Sequence, residues 1–183
     1  MRNSGLIFCL CLIFLLLLSC EPDLTDKAEL AFDSACADSI NCTSGNNSCT
    51  TIDGNMWSPR SLSQMTWEEA RSYCYDRKDC GYSDWHLPTI SELRTLIQNC
   101  PDNETGGTCA IYDPDSLGAT NYCGSCGYND SGGKYSKLGD AVELWSSSSA
   151  TDSLSDRAFY VNFGNGIVDH QYTSWYLFVR CVK

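Results

Sequence analysis

Thirteen cysteines among 183 residues constrain this chain more than any other feature of it. An odd number cannot all close as internal disulfides, so at least one cysteine must be removed, modified or left free. Two of them, Cys9 and Cys11, lie inside Leu6 to Leu18, an unbroken apolar run of 13 residues that follows a single basic side chain, Arg2. That run is short of the roughly 20 residues that cross a bilayer as a helix. A basic start, a short apolar stretch and a small residue at the end of it describe a secretory signal instead.

The signal ends in Leu17-Leu18-Ser19-Cys20, which resembles the bacterial lipobox. The resemblance implies cleavage before Cys20 and a diacylated N-terminus on that residue. The cysteine count then becomes even. Signal removal leaves eleven, lipidation of Cys20 leaves ten, and Cys36, Cys42, Cys49, Cys74, Cys80, Cys100, Cys109, Cys123, Cys126 and Cys181 can close as five disulfides. Such density belongs to an oxidising compartment outside the cytoplasm. The expected location is the bacterial envelope, anchored by lipid at the outer membrane or cell surface.

Charge narrows the partners. A formal net charge of -11 and a pI near 4.4 oppose an electrostatic grip on DNA, RNA, anionic headgroups or polyanionic glycosaminoglycans. Nucleic-acid binding is excluded as an expectation, and the membrane is reached through the lipid alone.

Three segments follow from composition: a signal peptide over 1–19, a cysteine-bearing polar tether over 20–51, and a domain over 52–183. Within the domain, Thr66-Trp67-Glu68-Glu69 and Thr89-Ile90-Ser91-Glu92 are capping boxes, in which a hydroxyl and a glutamate three residues later satisfy orphan backbone donors at a helix start. Trp67, Ala70, Tyr73 and Cys74 recur at helical spacing after the first, and Ile90, Leu93, Leu96 and Ile97 after the second. Pro88 disfavours helix at Leu87, so Trp85-His86-Leu87 is expected to enter extended. From Asn99 to about Lys137 the pattern dissolves into Gly, Asn, Asp, Ser and Cys. So long an irregular stretch needs pinning, and its four cysteines can supply it. Strands are expected at 143–147, 158–163, 167–170 and 175–182, with Gly164-Asn165-Gly166 turning a hairpin in which Asn-Gly favours positive φ. Two early helices, a disulfide-pinned loop and a late antiparallel sheet make an α+β domain.

Several motifs then occur in one order: Gly54-Asn55-Met56-Trp57, Trp67-x-x-Ala70-x-x-Tyr73-Cys74, Gly81-Tyr82-Ser83-Asp84-Trp85-His86-Leu87-Pro88-Thr89-Ile90-Ser91-Glu92-Leu93, Trp145-Ser146-Ser147-Ser148 and Val179-Arg180-Cys181-Val182. From about Asp53 to Lys183 the chain resembles the C-terminal domain of the Legionella collagen-like adhesin and the related Fibrobacter major paralogous domain. His86 and Lys183 stand where that family usually has arginine. The resemblance implies a C-type-lectin-like fold, distantly shared with the formylglycine-generating enzymes. It also implies a disulfide from the first helix to the last strand, Cys74 to Cys181. Proximity alone suggests Cys100 with Cys109 and Cys123 with Cys126, leaving Cys80 for Cys36, Cys42 or Cys49.

Catalytic chemistry finds little support. Cys123-Gly124-Ser125-Cys126 has redox-dithiol spacing, but Gly127 to Gly133 is turn-forming and offers no helix N-terminus to lower a thiol pKa, so structural disulfides are expected. His86 and His170 are far apart, and neither has a spaced ligand partner. Asp113, Asp115, Asn129, Asp130 and Asp140 carry oxygens for a structural calcium ion, at spacings that match no EF-hand. No other cofactor or metal site is expected. No Ser-His-Asp spacing, phosphate loop or His-Glu-x-x-His motif is present. The arginine-rich, cysteine-containing segment of the formylglycine-generating enzymes is absent too.

Recognition is the remaining expectation. Tyr172, Trp175 and Tyr176, with Asp169 and Gln171 nearby, combine aromatic faces and polar neighbours suited to a glycan or a surface-protein ligand. The competing expectation puts Trp175 in the core. A non-enzymatic, lectin-like binding module is the first reading. A disulfide-hardened structural protein without a ligand is the second, and a metal or thiol enzyme the third.

Overall fold

The computed structural model describes residues 48–112, 122–128, 132–150 and 156–183. The signal, the lipidation site Cys20, Cys36, Cys42 and the calcium candidates Asp113, Asp115, Asn129 and Asp130 lie outside the described residues. Strands β1 (Thr50–Ile52) and β2 (Asn55–Trp57) form a small antiparallel hairpin. Helices α1 (Trp67–Tyr75) and α2 (Ile90–Arg94) follow, then an antiparallel sheet of β3 (Glu143–Ala150), β4 (Arg157–Asn162) and β5 (Ile167–Tyr172) in that order. The architecture is α+β.

Both helices start where their capping boxes put them. Glu69 accepts from the Thr66 N–H at 2.8 Å, and Glu92 accepts from the Thr89 N–H at 2.8 Å while the Thr89 hydroxyl accepts from the Glu92 N–H at 3.2 Å. The serines of β3 dock the second helix. Between the Trp145↔Tyr160 and Ser149↔Ala158 pairs the register shifts, which marks a bulge. There the Ser146 hydroxyl donates to Phe159 O, the Ser147 N–H to Pro88 O, and the Ser148 hydroxyl accepts from the Ile90 N–H at 2.8 Å. Ser147 and Ser148 thus bond the start of α2, while Ser146 keeps β3 tied to β4 through its side chain.

Alternation along the sheet divides the interior in two. Leu144, Phe159, Val161 and Val168 face a core with Ile90, Leu93, Leu96, Ile97, Ile111 and Tyr135. Trp145 and Ala158 face the other, with Ala70 and Cys74 of α1, Trp85, Leu87, Leu177, Val179 and Cys181. Burying both faces explains why β3 and β4 are apolar on each side.

The C-terminal residues differ from the expected strand over 175–182. Leu177 pairs with Met65, Phe178 runs parallel beside Leu144, and Val182 pairs with both Trp57 and His86. One segment stitches four others, so no single partner runs beside it for long. Arg180 completes the stitch: its Nε and Nη2 donate to the two carboxylate oxygens of buried Asp140 at 2.6 and 3.0 Å, and its Nη1 donates to Ser58 O. Asp140 is therefore held by arginine.

Four disulfides tie the described residues together. Cys74–Cys181 joins α1 to the last segment, as the resemblance implied, and Cys80 takes Cys49. The two local pairings need correcting. Cys100 bonds Cys126 and Cys109 bonds Cys123, with Cα separations of 5.6 Å in each. Cys123 exchanges backbone hydrogen bonds with Val168 on the free edge of β5, and the Cys126 N–H donates to Asn165 O. Three residues of extended chain span about 10 Å, beyond what one disulfide bridges. The bridges therefore nest, the second inside the first.

The hairpin turn sits under the outer bridge. Gly166 has φ +78°, and a Cβ there would lie 2.8 Å from Cys100 Sγ. Of the Asn-Gly pair only the glycine takes positive φ. The irregular loop depends on two buried polar side chains. Arg94, 4% exposed, donates through Nε to Asn103 O, through Nη2 to Glu104 O and through Nη1 to Ile111 O. Asn103, 1% exposed, donates to Gly124 O and Gly166 O at 2.7 Å each. Five carbonyls that no helix or strand could satisfy find partners this way.

Candidate functional site

The aromatic residues singled out in the sequence occupy the end of β5 and the tight turn after it. Tyr172, Trp175 and Tyr176 are 41%, 52% and 60% exposed, so Trp175 is not a core residue. The turn that carries them is held at several points. The Trp175 N–H donates to Tyr172 O, the Thr173 N–H to Asp156 O, and Thr173 O accepts from the Trp67 N–H at the start of α1. Two further bonds between Leu177 and Met65 close its far side. Three large aromatic side chains thus stand on anchored backbone with much of their surface in water, where burying them against a partner yields most.

Strand alternation separates the polar residues expected beside them. Val168, His170 and Tyr172 share one face of β5, while Asp169 and Gln171 share the other. Tyr172 lies under the Arg157 guanidinium, 4.2 Å from its ring centroid. Arg157 Nη1 comes within 3.4 Å of His170 Nδ1, and the His170 ring meets Phe159 edge-on. His170 therefore has structural neighbours. Asp169 instead pairs across the strands with Tyr160. Burial first, then the carboxylates of Asp169 and Glu143, pushes the Tyr160 phenol above its ordinary value. Asp169 therefore lies on the opposite face of β5 from Tyr172.

A second feature escaped the sequence reading. Glu68, Arg71, Ser72 and Tyr75 fall at i, i+3, i+4 and i+7 on α1, a stripe beside its buried Ala70 and Cys74. With Asp76, Trp85, His86, Leu87 and Ser147 they line a cleft of about 510 Å³. The polar stripe was legible as periodicity. That residues 85–87 and β3 supply the opposite wall was not, because it depends on how the chain returns after α1.

His86 stands at this cleft with its Nε2 3.1 Å from Glu92 Oε1. The hydrogen bond to Glu92 raises the imidazole above its ordinary value against the opposing effect of burial. Burial pushes the Glu92 carboxyl up, but the bonds from His86 and Thr89 outweigh it and leave the group below its ordinary value. The pair steadies the entry to α2, since Glu92 also belongs to the capping box.

Among the described residues no group of three or more His, Cys, Asp or Glu side chains could hold a metal ion. Cys123 and Cys126 are each half of a structural bridge, to Cys109 and Cys100.

Compared with known proteins, the chain matches the family model of the Lcl C-terminal domain, the domain of the Legionella collagen-like protein, over residues 41–183. No curated protein matches it.

Proposed function

The chain belongs to the family of the Lcl C-terminal domain, and from that premise we propose that it is a non-enzymatic recognition module of the bacterial surface, binding a glycan or a protein through its aromatic turn. The family is one of bacterial surface or secreted proteins. A lipid on Cys20 would hold this member at the envelope, with residues 20–51 as the tether. The C-type-lectin-like reading of the fold draws support from Cys74–Cys181, which joins the first helix to the last segment as in lectin-like domains.

The observation that carries the proposal is the exposure of Tyr172, Trp175 and Tyr176 on backbone fixed from both sides. A fixed turn loses little entropy when it binds, so contact area converts more fully into affinity. The four disulfides of the described residues add rigidity of the kind expected of an exposed envelope domain.

The test uses the mature chain exported without its lipid and screened against a panel of cell-surface glycans and proteins. Selective binding that Trp175→Ala weakens by about tenfold or more, as for an interface hot spot, supports the reading. No selective binding on either panel contradicts it. Intact mass of the membrane-derived protein tests the anchor, which requires a diacylated Cys20 at the N-terminus.

A further inference from the structure

The cleft between α1 and residues 85–87 carries no role in the recognition reading above, yet its lining is specific. We infer that it is a second binding site, separate from the aromatic turn, for an uncharged saccharide residue. At about 510 Å³ it falls in the range of small-ligand pockets. Its floor is apolar: Trp85 and Leu87 are 3% and 4% exposed. On its rim Tyr75 is 80% exposed, free to lay its ring against the C–H face of a sugar.

Four polar side chains of its lining are unengaged. Among the described residues, the hydroxyls of Ser72, Tyr75 and Ser147 and the carboxylate of Asp76 make no hydrogen bond to protein. Three hydroxyls and one carboxylate around an apolar floor offer both donors and acceptors, the complement a sugar ring needs for its own hydroxyls.

Charge decides against an anionic sugar. Arg71 lies 3.5 Å from Glu68, and His86 is held by Glu92. Both basic side chains at the cleft therefore already have carboxylate partners. Asp76 is left as the uncompensated charge, and it repels a carboxylate or sulfate. The site also stands apart from the aromatic turn: Trp67 touches that turn through Thr173, and Tyr75 lies eight residues along α1, about 12 Å away by helical rise.

The experiment is saturation-transfer NMR on the mature, disulfide-intact chain exported without its lipid. The probes are the methyl glycosides of glucose, galactose, mannose and N-acetylglucosamine, with methyl glucuronide as the charged comparison. At least one neutral glycoside is expected to bind more tightly than the glucuronide. Tyr75→Ala, which removes the stacking face, and Ser72→Trp, which fills the cleft from an exposed helix position, should each weaken it about tenfold or more. Trp175→Ala should leave it unchanged, which separates failure here from failure of the aromatic-turn reading. The inference is overturned if no neutral glycoside binds at millimolar concentration, if S72W with an unchanged melting temperature binds like the parent, or if W175A abolishes the signal and Y75A does not.

Discussion

On one face of the central sheet a nine-residue helix satisfies its own backbone and is tied down by a single bridge, Cys74–Cys181. On the other, the described residues from 98 to 142 contain no helix or strand, and their carbonyls are met by Arg94, Asn103 and Tyr135, whose hydroxyl donates to Cys126 O at 2.7 Å. Both faces bury apolar side chains, the irregular face the larger set, so hydrophobic burial is not what the irregular face lacks. What differs is who supplies the backbone hydrogen bonds. A regular element does so within itself and needs fixing at one point. An irregular one must borrow side chains, which then become as indispensable as a disulfide.

That contrast can be broken from either side. The largest effect is expected from Cys74→Ala with Cys181→Ala, because a sequence separation of 107 makes this the longest loop closed in the described chain. The chain-entropy model gives about 5 kcal/mol. Denaturant unfolding against the parent measures it, and a loss below about 2 kcal/mol would mean the helical face holds without its bridge.

Arg94→Met should cost about 3–5 kcal/mol, since it strands three carbonyls in the interior. Burial lowers the Arg94 guanidinium from the ordinary arginine value. A loss near 1 kcal/mol would show that water replaces the guanidinium and that the loop is not held by it. Cys109→Ala with Cys123→Ala removes the inner bridge, with a separation of 14, for which about 3 kcal/mol is expected. If that double variant is as destabilised as C74A/C181A, loop length is not the governing quantity.

How much of this was readable beforehand follows the same line. The capping boxes at Thr66 and Thr89 were plain because a helix start is decided by four consecutive residues. The hairpin of β4 and β5 was plain because alternation and a glycine-rich turn are local too. The nested pairing of Cys100, Cys109, Cys123 and Cys126 was not, since it follows from Cys123 lying along β5 across a gap of 45 residues in sequence. Nor did anything in the chain order announce Arg94 as the partner of loop carbonyls. The aromatic turn was found because Tyr172, Trp175 and Tyr176 lie within five residues of one another, whereas the alternation that puts Asp169 on the opposite face of β5 from Tyr172 shows only once the strand is placed. The cleft was missed because its two walls are distant in sequence.

The smallest expected effect concerns the seam between the two regions, where His86 meets Glu92. The imidazole is raised and the carboxylate lowered, so the pair's contribution is complete between the ordinary values of about 4.5 and 6.5. It fades as pH rises through the raised His86 value, and as pH falls through the lowered Glu92 value. With His86 half exposed, His86→Ala should cost about 0.2–1 kcal/mol near pH 5.5 and less at pH 9. Melting curves at the two pH values measure the difference; a variant equally destabilised at both would mean the ring acts by packing and not by charge.

The irregular face is closed by nested bridges that span the loop, not by two short local ones. Non-reducing proteolysis of the exported protein, with mass spectrometry of the linked peptides, reads this directly. The expected links are Cys100 to Cys126 and Cys109 to Cys123, beside Cys49–Cys80 and Cys74–Cys181. Linkage of Cys100 to Cys109 and of Cys123 to Cys126 would contradict them.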